Sequence, residues 1–111
     1  MKERNKKNMK VENFYNKNQF IILGGDAKIT FQSYNSIIAK IDKNGTLWLG
    51  SDWNYSKTTL KHLYLFINDY FNELEDFTQK LFGYEFNASK NKKAYIQKLI
   101  DDEKIFIKKL D

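Results

Sequence analysis

The sequence predicts an α+β domain: a three-stranded antiparallel sheet followed by two long antiparallel helices packed on one face. Three observations predict it. Apolar and polar residues alternate through Ile29-Thr30-Phe31-Gln32-Ser33 and Ile37-Ile38-Ala39-Lys40-Ile41, the repeat of a half-buried strand. Asp42-Lys43-Asn44-Gly45 is a strong turn signal between apolar runs. After Asn54 the apolar spacing lengthens to that of a helix.

The first strand is Phe20-Ile21-Ile22-Leu23, an apolar run closed by Gly24-Gly25-Asp26. The second runs from Ile29 to Ile41, with a bulge or bend at Ser33–Ser36. A type I turn with Gly45 in the left-handed position then returns the chain into Thr46-Leu47-Trp48-Leu49-Gly50. Ser56 is placed to cap the first helix, with Tyr55 and Leu60 at the spacing of a hydrophobic staple. Leu60, Leu63, Tyr64, Ile67, Phe71, Leu74 and Leu81 share one face up to Gly83, a span of roughly 39 Å that has room for a bend near Asn72 or Thr78. A second helix from about Ser89 carries two apolar stripes, one through Tyr95, Leu99 and Phe106, the other through Ile96, Ile100, Ile107 and Leu110. With no proline in the chain, element ends rest on Gly, Asn and Ser.

The 111 residues make one domain, read as a basic, disordered leader at 1–17 and a folded body at 18–111. A net charge of +5 suggests an anionic partner, yet it is unevenly spread. Lys2, Arg4, Lys6, Lys7 and Lys10 against Glu3 give the first ten residues +4, whereas fourteen Lys against thirteen acids leave the remainder +1. The leader has no apolar segment of a secretion signal, and no run of about 18 apolar residues follows. The expected setting is cytoplasmic, away from membranes. Zero Cys excludes disulfides, thiolate nucleophiles and cysteine-based metal sites; the single His62 leaves no imidazole pair. No metal or other cofactor is expected.

His62 is the sole conventional base, and Ser56 stands on another face of the helix, so no local catalytic pair forms. Asp69, Glu73 and Asp76, with Glu75 nearby, share a helical face that could hold Mg²⁺. Residues 60–85 carry −3 and residues 86–111 carry +3, however, so charge pairing between the two helices accounts for those acids better. Asp52-Trp53 followed by Tyr55-Ser56-Lys57-Thr58-Thr59 and then Lys61-His62 is the richest constellation. Free N–H groups at a helix start, three hydroxyls and two lysines suit an anion, although Ser and Thr there also serve capping alone. Trp48 and Trp53 flank it, to stack on a ligand if exposed or join the core if buried, the core being the reading for Trp48.

Two stretches within residues 29–66 carry a resemblance. Phe31-Gln32-Ser33-Tyr34-Asn35-Ser36-Ile37-Ile38-Ala39 and Tyr55-Ser56-Lys57-Thr58-Thr59-Leu60-Lys61-His62 resemble the strand and helix-start motifs of a small domain of unknown function found in phages, plasmids and other mobile elements of low-GC bacteria. The resemblance implies no catalytic residue. It does imply a mobile-element origin, and accessory proteins of such elements often act on host machinery. The expected function is therefore a non-enzymatic protein that binds a host partner, such as a nucleic-acid-guided nuclease, as an anti-CRISPR-like inhibitor. The alternative is direct binding of DNA or RNA through the basic arm and the helix start at Ser56.

Overall fold

The computed structural model describes residues 9–71 and 90–110. Their backbone forms β1 (Lys10–Phe14), β2 (Asn16–Leu23), β3 (Ile29–Ser33), β4 (Ser36–Ile41), β5 (Leu47–Leu49), α1 (Lys57–Tyr70), α2 (Lys92–Asp101) and β6 (Phe106–Ile107). The α+β class holds, but the sheet has six strands, not three, in the order β1-β2-β3-β4-β5-β6. The first five form an antiparallel meander, and β6 joins β5 in parallel, so the sheet is mixed.

Each extra strand arises where local signals are weak. Lys10–Phe14 lies inside the stretch read as a disordered leader, yet it pairs with β2 and aims Phe14 into the core. Tyr15 alone turns β1 into β2 at φ +68. The expected long strand divides into β3 and β4 because Tyr34-Asn35 makes a hairpin turn with neither Gly nor Pro to announce it, Tyr34 standing at φ +53. The register shift in this ladder lies between Phe31 and Gln32, outside the Ser33–Ser36 stretch expected to bulge or bend. The second helix stops at Asp101 and Glu103 takes φ +59, so Ile105 enters the core while Phe106 and Ile107 become a strand. The Gly45 turn forms as its sequence dictates: Gly45 donates to the Asp42 carbonyl at 3.0 Å and stands at φ +87.

Helix α1 begins at the expected cap, the Ser56 side chain accepting from the Thr59 N–H at 3.1 Å. Tyr55 is 81% exposed, so it does not bury itself against Leu60 as a staple. The helix ends at Tyr70 with Phe71 bonding back to Ile67; the positions expected to prolong it, Leu74, Leu81 and Gly83, lie outside the described residues, as do Asn72 and Thr78.

Ladder register assigns the two sheet faces. Ile21, Phe31, Ala39 and Leu49 stand opposite one another and face α1, where the Phe31 ring stacks on Phe66 at 5.5 Å. Leu63 and Ile67 of α1, with Ile96 and Leu99 of α2, complete the core, each fully buried apolar side chain contributing about 1.5–3 kcal/mol. Val11, Ile22, Thr30, Lys40, Trp48 and Phe106 occupy the opposite face.

Candidate functional site

The segment between β5 and α1 is held at both ends. At Gly50, which donates to the Ile38 carbonyl at 2.8 Å, a β-carbon would stand 3.0 Å from the Ile37 carbonyl oxygen, so the chain crosses β4 so closely that a side chain would need that carbonyl to give way slightly. Trp53 then buries its indole in the core. Between these anchors the chain turns at Asp52, whose carbonyl accepts from the Tyr55 N–H at 3.0 Å, and enters α1.

Beside this entry lies a cleft of about 280 Å³ lined by Ser33, Tyr34, Ser36, Ile38, Asp52, Tyr55, Ser56 and Thr59. Two of its hydroxyls are committed to the helix start, since Ser56 Oγ also bonds Thr59 Oγ1 at 3.1 Å. Ser33 is different: it is 4% exposed and its Oγ has no hydrogen-bond partner among the described residues. Directly across the β2–β3 ladder, Gln19 is fully buried, with both side-chain amide atoms also unpartnered among the described residues. Leaving such groups unmatched costs about 1–3 kcal/mol each. Tyr34, 56% exposed, and Tyr55 stand at the rim.

On the adjoining flank of α1 a wider groove of about 540 Å³ runs to the start of α2. Lys57 and Lys61 line it from α1, Lys90, Lys92 and Lys93 from the α2 side, with Leu60, Asn91 and Ala94 between them. Lys92 also places its Nζ 5.4 Å from the Tyr64 ring centroid. Five lysines and no acidic residue among the described lining residues make a surface suited to phosphates.

The candidate residues thus separate into three environments. Asp52, Tyr55, Ser56 and Thr59 meet in the cleft, and Lys57 and Lys61 in the groove, while Thr58 is exposed and lines neither. Trp53 and His62 belong to the interior. His62 Nδ1 lies 2.8 Å from the Thr58 carbonyl, which can only accept, so Nδ1 carries the proton and the ring is tied to its own helix. The two tryptophans exchange expectations: Trp48 is partly exposed, with its Nε1 donating to Asp42 Oδ2 at 2.9 Å and the Lys108 Nζ 4.1 Å from its ring centroid. That indole bond, with backbone donation from Thr46 and Asn44, holds the Asp42 carboxyl below its ordinary pKa.

Asp69 accepts from the Tyr15 hydroxyl at 2.8 Å, a bond that raises the pKa of that tyrosine and ties α1 to the β1–β2 turn. Glu73, Glu75 and Asp76 fall outside the described residues, as do Lys2, Arg4, Lys6 and Lys7 of the arm. Lys10 lies in β1, 3.2 Å from Glu12. Among the described residues no helix is long and apolar enough to cross a membrane.

Residues 3–84 match the model of a family of unknown function, DUF8033. The chain belongs to this family. No curated protein and no solved structure matches it. The DUF8033 match takes in β1 and both motif stretches, whereas the α2 side of the lysine groove lies beyond it. Sequence reasoning missed that side: Lys90-Asn91-Lys92-Lys93 registers in the sequence only as helix charge, and its nearness to Lys57 and Lys61 is a product of tertiary folding.

Proposed function

We propose that the chain is a non-enzymatic nucleic-acid-binding domain of the cytoplasm, its lysine groove receiving the phosphate backbone. One observation carries this reading: Lys57, Lys61, Lys90, Lys92 and Lys93 line a single concavity between the starts of two helices, with no acid among the described lining residues. The net charge of +5 supports it, and the basic arm at Lys2–Lys10 adds further phosphate contacts.

Salt dependence tests it. If all five lysines neutralise phosphates, the logarithm of affinity falls with the logarithm of salt at a slope near −3.5 for a single strand, from about 0.7 per contact. Anisotropy titrations of labelled oligonucleotides should return at least that slope, and the double variant Lys57→Gln/Lys61→Gln should reduce its magnitude by about 1.4. Absence of binding at low salt, or a slope indifferent to these lysines, refutes the reading.

A second reading is favoured by Tyr34, Tyr55 and Asp52 around the cleft, because exposed aromatics at a concave rim are typical anchors of protein interfaces. On it the domain is a mobile-element product that docks on a host protein and inhibits its nucleic-acid-handling or defence activity. Stoichiometric capture of one host protein, lost on Tyr55→Ala, would favour this reading over the first.

A further inference from the structure

We infer that the cleft beside the start of α1 is a receptor for a single unstacked guanine base. The inference rests on the nucleic-acid reading and gives the bound strand a sequence preference.

Charge narrows the occupant first. Asp52 is the one charged residue lining the cleft among those described, and no lysine or arginine faces it, so a phosphate is repelled here although it is welcome in the neighbouring groove. A carboxylate only accepts hydrogen bonds, through two oxygens side by side. Guanine offers the matching edge, N1–H beside the N2 amino group, with the O6 acceptor next in line for a hydroxyl donor. Adenine sets a ring acceptor beside a single amino group, and cytosine and thymine likewise lack two adjacent donors.

The floor and the rim supply the other requirements. Ser33 lines the cleft at 4% exposure and its Oγ has no partner among the described residues, so on binding its hydroxyl can turn to give its proton to O6. Two tyrosines at the mouth present flat faces on which a splayed base stacks. Tyr34 is fixed there by its backbone, its N–H donating to the Asn18 carbonyl at 2.7 Å and its carbonyl accepting from Gln32 Nε2 at 2.6 Å. Ser56 and Thr59 line the cleft while Lys57 and Lys61 line the groove, so a strand whose phosphates follow the lysines passes the cleft mouth within one turn of α1.

Guanosine, which has no phosphate, separates this site from the groove. In ¹H–¹⁵N spectra of the full chain, guanosine should shift the amides of Ser33, Ser36, Asp52 and Tyr55, adenosine should not, and Asp52→Asn should weaken the response at least about tenfold. Ser33→Ala, which leaves the exposed carboxylate in place, should weaken it as well. Guanosine-specific shifts support the site even if no oligonucleotide binds, an outcome that removes the groove reading alone. Equal responses to guanosine and adenosine, no response, or a response undiminished in Asp52→Asn overturns it. Shifts at these amides with N-acetylarginine amide but not with guanosine overturn it in favour of a protein side chain.

Discussion

Replacing Phe14 by alanine asks whether β1 is part of the folded body. Its ring sits 5.8 Å from Phe31, 6.4 Å from Phe66, 6.0 Å from Tyr70 and 4.6 Å from Tyr15, so truncation removes aromatic contacts to the sheet and to α1 together. Buried Phe→Ala changes cost about 3–5 kcal/mol. Phe14 belongs to an edge strand that can partly collapse into the space, which places the cost near the lower end, about 3 kcal/mol. With a urea dependence of about 1.5 kcal/mol per molar, the unfolding midpoint should fall by about 2 M. Buried Trp53 supplies the fluorescence signal. Val11→Ala is the control: this side chain lies on the opposite sheet face and is exposed, so its effect should stay within about 0.5 kcal/mol. A Phe14→Ala midpoint no lower than that of the control would show that residues 10–17 are dispensable, and with them the six-stranded sheet.

Asp42 should make stability depend on pH in a defined direction. Its folded pKa lies below the ordinary 3.8, so its contribution is complete above about pH 4 and is lost as pH falls through the lower folded value. The difference in urea midpoint between the native chain and Asp42→Asn should therefore be full at neutral pH and close below pH 4; a constant difference would dismiss the indole–carboxylate bond as its source. At the β3–β4 turn, Tyr34→Gly relieves a left-handed conformation and should raise thermal stability by up to about 1 kcal/mol while weakening the guanosine response. Calorimetry and titration of the same variant must move in opposite senses, or the ring at that turn has no binding role. Gly45→Ala meets no atom within 4 Å but keeps φ +87, so its cost in urea unfolding should be about 1–2 kcal/mol from the backbone alone. Gly50→Ala should cost more than an ordinary surface change for the opposite reason, contact with the Ile37 carbonyl at 3.0 Å; equal, near-zero effects at both glycines would contradict the turn and the crossing.

Residue types with strong local preferences could be read directly from the sequence. Gly45 after Asn44 marks its turn, and Ser56 marks a helix start, because backbone conformation or capping alone selects them. What stayed hidden depends on partners distant in sequence. Val11 and Phe14 form too short an apolar pattern to announce β1 without β2 beside them, and Phe106-Ile107 extends a helical pattern until its pairing with β5 outweighs helix propensity. The β3–β4 turn was illegible for another reason: Tyr34 adopts a conformation its side chain disfavours. The cleft was half visible, since Asp52, Tyr55, Ser56 and Thr59 are close in sequence, whereas Ser33, Tyr34 and Ser36 reach it through the β3–β4 hairpin.

The parallel pairing of β5 with β6 sets an order of assembly. Strands β1 to β5 each join a neighbour across a short connection, so the meander can zip from its own turns with little loop-closure entropy. Trp48 and Phe106 are more than fifty positions apart, and their ladder forms only after α2 has brought the chain back. Until that late step the edge of β5 offers unpaired N–H and C=O groups to any passing strand. The two residues of β6 thus cover an edge of β5 at which a second chain would otherwise find backbone groups to pair with.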